Sequence, residues 1–377
     1  MAKVKNKIKT GLVLQGGGAR GAYQVGVLKA VGEILNTTAN PFSIISGTSV
    51  GAINAASLAS SADDFLESTN RLERLWRSLR ENSIFDSRAR SLFATGWRII
   101  RTFVFGGKTN QYGLLDNNPL RELLDREFKR DKVEEAFSEG HLEGFCITTS
   151  CYECGKAITH FETNQNVQPW MRSRRDGRMD TIRVDHLMAS SALPFIFQAV
   201  RIDGTYQGDG AMRLTTPLSP VIRMGADKVV VIGVRDAIID SPSDDGMALY
   251  PSIGEMSGHA LDILFNDNLD SDIERVNRIN SLLRKIPSAK RKETDLKAVD
   301  LLVLQPSEDL REIARRHESN MPKAVRFILK SIGAWNTDGR LPSYLLFEEG
   351  YIADLIELGY NDTIARTDDV KSFLATS

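Results

Sequence analysis

The sequence predicts an α/β protein with a mainly parallel central sheet covered by helices, and three observations lead to that prediction. A short apolar run, a glycine-rich turn and a helical segment follow one another twice near the start of the chain. Such alternation is typical of strands that pair in parallel beneath helices. A later run, DKVVVIGVR at 227–235, has the continuous hydrophobicity of a buried strand. The composition, 42% hydrophobic and 26% charged residues, is ordinary for a globular protein.

The two strand-turn-helix units occupy residues 8–58. IKTGLVLQ at 8–15 predicts a buried strand, and AYQVGVLKAVGEIL at 22–35 predicts a helix because its apolar residues recur at helical spacing. The second unit predicts a strand at 42–45 and a helix rich in small residues at 51–58. Glycines stand at both turns.

The middle of the chain predicts helices and short strands in alternation. We expect helices at 63–82 and 114–138, a hairpin at 145–163, a short helix ended by Pro194, and a strand with tight turns at 201–212. The aromatic-rich segment 91–107 (SLFATGWRIIRTFVFGG) is interpreted either as a lid or membrane-facing patch, or as a core-facing helix.

The residue composition of the sequence changes after Asp236. A connector rich in Ser, Asp and Pro leads to one long predicted helix at 255–286, a strand at 300–308 and three further helical stretches. We therefore predict a first domain over 8–236 and a mostly helical C-terminal extension over 237–377. The extension is expected to pack on the core or to form a separate domain.

Charge, hydropathy and cysteine usage exclude several classes of protein. The formal net charge of -1 gives no global basic field for nucleic acid. The N-terminus lacks the apolar region of a secretory signal, and no window approaches the roughly 18 apolar residues of a spanning helix. Cys146, Cys151 and Cys154 are too few for a disulfide framework. We predict a cytoplasmic protein, soluble or peripherally bound at a membrane, of open oligomeric state.

The Cys151-x-x-Cys154 pair is interpreted as part of a hairpin. A zinc site needs four ligands, and only Cys146 and His160 lie near enough in sequence to complete one. No metal is therefore expected at these cysteines.

The segment Gly47-Thr48-Ser49-Val50-Gly51 has the pattern of a nucleophile elbow between a strand and a helix. Glycines clear side chains from the sharp turn, and the following helix directs unsatisfied N–H groups towards Ser49. The alternative is a tight turn in which Ser49 only caps the helix.

The upstream loop Gly16-Gly17-Gly18-Ala19-Arg20-Gly21 allows two interpretations. A dinucleotide site would need an acidic residue at the end of the second strand, where Ile45-Ser46-Gly47 stands instead. An oxyanion hole fits better, because consecutive glycines let several N–H groups face one point. Arg20 is expected to favour an anionic substrate, to steady the loop, or to form a surface salt bridge.

A serine nucleophile needs a base, and Asp209 is the best candidate. None of the five histidines lies in a glycine- or aspartate-rich turn, although His259 and His317 come late enough in the chain to follow a nucleophile. Asp209 stands between Gly208 and Gly210, followed by Ala211, so its carboxylate has room to approach a hydroxyl. The alternative is an ordinary β-turn aspartate.

Together GGGARGAYQVGVL, GTSVG and DGA, in this order, resemble the patatin-like phospholipases over roughly residues 8–236. The resemblance implies a three-layer α/β/α fold and a Ser-Asp dyad with no histidine and no cofactor. By position, Ser49 would be the nucleophile, Asp209 the base, and the N–H groups around Gly17, Gly18 and Ala19 the oxyanion hole. Gln15 and Ala211 are small departures from the family pattern.

The resemblance implies a serine lipid acyl hydrolase that cleaves fatty-acyl esters through an acyl-enzyme. Lipid or phospholipid would be the substrate. Two other classes stay open at this stage: a catalytically silent lipid-binding or scaffold protein on the same fold, and a nucleotide-binding oxidoreductase.

Overall fold

The computed structural model describes residues 8–84, 115–194, 196–235, 250–291, 293–294, 296–321 and 339–375, with residues 326, 329, 330, 333 and 335 between the last two ranges. The strands are β1 Thr10–Leu14, β2 Ile44–Thr48, β3 Gly144–Cys151, β4 Ala157–Thr163, β5 Trp170–Met171, β6 Arg175–Met179, β7 Val200–Ile202, β8 Thr205–Asp209, β9 Lys228–Ile232 and β10 Asp300–Leu304. The helices of the first 235 residues are α1 Gly21–Leu35, α2 Val50–Ala59, α3 Phe65–Ser78, α4 Glu81–Ile84, α5 Asn118–Glu127, α6 Arg130–Ser138, α7 Val184–Ser190 and α8 Ser219–Arg223. Those that follow are α9 Ile253–Asp262, α10 Asn268–Lys285, α11 Ser288–Arg291, α12 Leu310–His317, α13 Arg340–Leu345, α14 Glu349–Ile364 and α15 Thr367–Leu374.

The ten described strands form one mainly parallel sheet in the order β10-β9-β1-β2-β3-β4-β6-β5, which confirms the predicted fold class. The pairs from β10 to β3 are all parallel. β4 is antiparallel to β3 on the side away from β2. β8 is antiparallel to β3 on the same side as β2, just beyond the end of β2, and β7 forms a hairpin with β8. Ser49 follows β2 and Asp209 ends β8, so both lie next to the same end of β3.

Side chains alternate across the sheet and fill two cores, which makes the fold a three-layer sandwich. Leu12 and Leu14 of β1 belong to the larger core with α1 and α2, whereas Val13 packs into the second core with α8 and α10. Because successive side chains of a strand point to opposite faces, both faces of β1 must be apolar, and they are.

The C-terminal extension is mostly helical and makes close contact with the first helix and the sheet. Added side chains at Gly26 of α1 and Gly359 of α14 would lie 1.9 Å from the carbonyl of Ile356 and 2.2 Å from that of Tyr23. Only glycine permits this approach of two helix backbones. β10 extends the sheet beside β9. The division into two domains stays a prediction.

Several details differ from the sequence prediction. The helix expected over 114–138 is two helices, because Phe128 is extended and buried and the Lys129 N–H donates to Ser60 Oγ at 3.2 Å. β2 runs on to Thr48 through buried small residues. The long helix expected at 255–286 is continuous but contains a π-helical turn, Ile263–Asp267. The segment 91–107 lies outside the described residues. Of the helices that are described, none has the length and hydropathy needed to cross a bilayer.

Candidate active site

Ser49 occupies a strained turn at the end of β2. Its φ of 55° and ψ of −127° lie in a region that residues other than glycine rarely adopt. Side chains at Gly47 and Gly51 would lie 2.2 Å from the carbonyls of Gly51 and Leu14, so the turn can form only with glycine at both positions. The Ser49 N–H donates to Ser190 Oγ at 2.9 Å, which fixes the backbone of the turn. The geometry is that of the predicted elbow.

Asp209 is brought to the same place by strand register. Thr48 pairs with Thr148 across β2 and β3, and Thr149 pairs with Asp209 across β3 and β8. The Asp209 carboxylate is buried, and its Oδ1 accepts the Ala211 N–H at 2.9 Å. Its Oδ2 accepts no hydrogen bond from the described residues.

The Asp209 carboxylate has the electrostatics of a base. Burial raises its pKa to about 7, and the nearby Ser49 hydroxyl and Ala211 N–H only partly oppose the rise. Strand register places the two residues together, because Thr48, next to Ser49, pairs with Thr148 and Asp209 pairs with Thr149.

The glycine loop lies against the elbow. A side chain at Gly16 would come within 3.0 Å of Ser49 Cβ. Gly18 has a φ of +56° and begins a short 3₁₀ turn that leads into α1. Among the described residues, no backbone acceptor pairs with the N–H groups of Gly17, Gly18 or Ala19. Unpaired N–H groups at a helix start form a site for negative charge.

Arg20 is buried rather than exposed, so a surface salt bridge is the wrong interpretation. Its Nε and Nη2 atoms donate to Ser343 Oγ at 2.9 and 2.7 Å, and its Nη1 lies 3.4 Å from Asp262 Oδ1. Its guanidinium stacks on the Tyr344 ring, 3.9 Å from the centroid. These partners all belong to the C-terminal extension.

An apolar cavity opens at Ser49, with an empty volume of about 750 Å³, its mouth included. Its wall is almost entirely hydrophobic and comes both from the first 200 residues and from the C-terminal extension. The residues are Gly18, Ser49, Val50, Ile53, Leu75, Trp76, Leu79, Ile84, Leu120, Leu123, Ser191, Leu193, Phe197, Phe265, Tyr344, Leu345 and Phe347. No histidine is among them. This apolar lining suits a hydrocarbon chain whose polar end lies at Ser49.

A second polar group lies beside Thr149 and includes two buried histidines. Asp180 Oδ2 is 3.2 Å from both His160 Nδ1 and His186 Nε2. The ligand atoms lie within 4.8 Å of one another, as a metal site would require. The Arg183 N–H, however, donates to His186 Nδ1 at 2.9 Å, so the ring proton resides on Nε2. A protonated nitrogen is not a metal ligand, and the group fits a polar cluster better than a metal centre.

The remaining candidates fall outside the cavity. His259 is exposed on α9, and His317 pairs with Asp354 at 2.7 Å. Cys151 is the last residue of β3, and Cys154 lies in the turn of the expected hairpin. Cys146 is buried within β3.

Sequence reasoning missed the residues that the C-terminal extension contributes. Phe265, Tyr344, Leu345 and Phe347 reach the cavity from more than 200 residues beyond Ser49. No motif marks them. The long helix prediction at 255–286 could have placed Phe265 on a buried face, but nothing in the sequence pointed that face at Ser49.

The geometry defines a class of site: a serine on a strained strand-to-helix turn, a buried carboxylate beside it and free N–H groups opposite. Residues 12–222 match the family model described as patatin-like phospholipase. The chain belongs to the patatin-like phospholipase family, a family of lipid ester hydrolases, and the predicted resemblance is confirmed. This membership sets aside the oxidoreductase interpretation of the glycine loop.

Named relatives agree with the family. The chain is 24% identical over 345 residues to "Lysophospholipase NTE1" of Cryptococcus neoformans, covering 90% of this chain and 18% of that protein. It is 57% identical over 53 residues to "Lysophospholipase nte1" of Aspergillus terreus, covering 14% of this chain and 3% of that one. The chain therefore spans less than a fifth of these relatives. VipD from Legionella pneumophila, a solved structure, aligns with 96% of this chain and 67% of its own at 13% identity and a TM-score of 0.34.

Proposed function

We propose that the protein is a serine lipid acyl hydrolase in which Ser49 is the nucleophile and Asp209 the base. The observation that carries this proposal is that Ser49 lines an apolar cavity, while Asp209, with one unpaired oxygen, lies at the same end of β3. An acyl chain would enter the cavity and leave its ester carbonyl at Ser49. The names of the relatives favour lysophospholipids, which carry one acyl chain, as the first substrates to test.

The reaction would proceed in two halves. Ser49 Oγ attacks the ester carbonyl while Asp209 Oδ2 accepts the hydroxyl proton. The tetrahedral intermediate carries a negative oxygen, which the N–H groups of Gly17, Gly18 and Ala19 would stabilise. Collapse breaks the ester bond, and Asp209 returns the proton to the departing alcohol.

The second half releases the fatty acid. Water gives a proton to Asp209 and attacks the acyl-enzyme carbonyl from the side vacated by the alcohol. The same N–H groups stabilise the second intermediate, and its collapse restores the Ser49 hydroxyl. One carboxylate therefore acts as base and acid in turn, which suits a pKa of about 7.

The test is labelling by a fluorescent fluorophosphonate, which bonds to an activated serine. Wild-type protein should be labelled, and Ser49→Ala should not. Ser57→Ala is the matched control, because Ser57 lies on α2 and is not part of the cavity wall. It should be labelled like wild type. A folded wild type that resists labelling in detergent and on liposomes would overturn the proposal and favour a lipid-binding scaffold.

A further inference from the structure

Arg20 links the glycine loop to the C-terminal extension. Four residues of the loop, Gly16 to Ala19, have no side chain long enough to hold it in place, so Arg20 is its only long anchor. The guanidinium leads away from the cavity to Ser343 and Asp262. It is therefore not oriented to meet a substrate anion at Ser49.

The partners of Arg20 are themselves held together. The Tyr344 hydroxyl donates to Asp262 Oδ1 at 2.6 Å, and Arg340 Nε lies 3.0 Å from Asp262 Oδ2. The Ser343 hydroxyl donates to the Arg340 carbonyl at 2.6 Å. The cluster is buried, so each of these polar contacts acts at low effective dielectric.

Two close contacts join this cluster directly to the glycine loop. A side chain at Gly18 would lie 2.2 Å from the Tyr344 carbonyl. Gly18, which has a left-handed backbone conformation, therefore contacts α13 directly. The Phe265 ring lies 2.8 Å from where a Gly16 side chain would begin, and it stacks on Tyr344 at 5.3 Å. The π-helical turn at Ile263–Asp267 places Phe265 here, and such turns occur often at functional sites.

We propose that Asp262, Ser343 and Tyr344 are positioning residues that hold the glycine loop, through Arg20, with its N–H groups facing Ser49. The inference rests on the proposed function, since it assigns these residues a part in the same reaction. A glycine-rich loop left alone samples many backbone conformations. Oxyanion stabilisation depends on donors that are in place before the charge develops. The C-terminal extension would thus restrict the backbone of the glycine loop to one conformation, which the residues of the loop cannot do alone.

The experiment compares Ser343→Ala, Asp262→Asn and Tyr344→Phe with wild type on a short-chain p-nitrophenyl ester. Removing one oxyanion donor outright lowers kcat by about 10²–10³-fold, and a loosened loop should lower it by about tenfold or more. KM should change little, because the acyl wall stays in place. The pH inflection should also stay where it is, because Asp209 is untouched. Ser343→Thr keeps the hydroxyl and should restore kcat.

Amide hydrogen exchange gives a readout that does not depend on turnover. The N–H groups of Arg20 and Gly21, which donate to the carbonyls of Gly17 and Gly18 within the loop, should exchange faster in Ser343→Ala and Asp262→Asn, while those of α2 should not. Asp354→Asn is the matched control, since Asp354 lies in the extension but pairs with His317. It should leave both kcat and the exchange of the loop unchanged.

The outcomes separate the two proposals. Wild type that is neither labelled at Ser49 nor active overturns the proposed function, and the inference with it. An active wild type with variants of equal kcat and equal loop exchange overturns the inference alone. Variants that change only KM, or that lose kcat only in proportion to their folded fraction, also overturn it. Tyr344→Phe keeps the ring on Arg20, so it remains informative if the other variants fail to fold.

Discussion

Two aspartates, Asp209 buried and Asp180 partly exposed, lie near Thr149 of β3, and they have opposite surroundings. Asp209 pairs with Thr149 across the sheet, has an unpaired oxygen, and has its pKa raised to about 7 by burial. Asp180 belongs to the cluster that it forms with His160 and His186. The His160 Nε2 atom of this cluster is 3.3 Å from Thr149 Oγ1. Its pKa is lowered to about 2, first by the hydrogen bond from His160 and then, against the effect of burial, by His186.

The difference separates a carboxylate available for chemistry from one used for structure. A buried acid without a cation beside it holds its proton near neutral pH and can exchange it with a substrate. An acid that accepts a hydrogen bond from a histidine stays ionised near neutral pH and has no proton to exchange. Residue type alone does not distinguish the two, and the partners of each oxygen do.

The largest expected effect is on turnover. Asp209→Asn should lower kcat by about 10²–10⁴-fold, the usual contribution of a general base. Asp180→Asn is the matched control, because it removes the same charge from the neighbouring cluster. It should retain most of the activity when assayed as folded protein. Steady-state kinetics of both purified variants, with folding checked by circular dichroism, would decide the matter, and equal losses would contradict the distinction.

The pH profile comes next. Since Asp209 must be deprotonated to accept the serine proton, kcat/KM should rise with pH and level off above about 7. Below the inflection it should fall by about tenfold for each pH unit. Asp180→Asn should show the same inflection. A profile that is flat between pH 5 and 8, a range chosen to bracket that pKa, would exclude Asp209 as the group that titrates.

The two aspartates should also have opposite effects on the free energy of unfolding. The folded-state pKa of Asp209 is raised, so the folded protein binds this proton more tightly than the unfolded chain does. Its stability contribution is therefore present below pH 4 and is lost as pH rises to 7. Asp209→Asn should raise the free energy of unfolding above pH 7, by at most on the order of 4 kcal/mol, and should gain little at pH 4. Urea unfolding at both pH values measures this, and a variant less stable than wild type at pH 8 would count against it.

Asp180→Asn should act in the opposite direction and less strongly. The pKa of Asp180 is lowered, so its stabilisation is present above the unfolded value near 4 and is lost as pH falls through 2. The side chain is 20% exposed, so after screening by solvent the loss at pH 7 should be about 1 kcal/mol. Urea unfolding at pH 7 would show it. Stabilisation by this variant would mean that the cluster is strained rather than supportive.

The sequence was sufficient for the sheet and for the residues gathered at Ser49. Strand-turn-helix order, the glycines at 47 and 51, and the lone Asp209 between glycines are local patterns, and each reports a local backbone need. The placement of Ser49 beside Asp209 depends on the antiparallel pairing of β8 with β3, which the sequence did not predict. Their catalytic roles stay predictions until the variants are measured.

What the sequence could not provide depends on long-range packing. β6, with the sequence RDGRM, has no apolar pattern and forms because it pairs with β4. The burial of Arg20 depends on Asp262 and Ser343, more than 240 residues away. The cluster of His160, Asp180 and His186 has no motif spacing, since its members meet only once β4 and α7 are packed.

The close packing of α14 on α1 has a consequence for the protein while it is being made. A nascent chain that has emerged as far as residue 235 already carries the elbow, the glycine loop and Asp209, but not the helix that covers α1 or the partners of Arg20. Its first helix would present uncovered apolar surface to chaperones. On the inference above, it would also lack a working oxyanion hole. The elbow and Asp209 would then be synthesised well before the partners of Arg20, and an ordered glycine loop would form only after residues 262–344 had been made and packed.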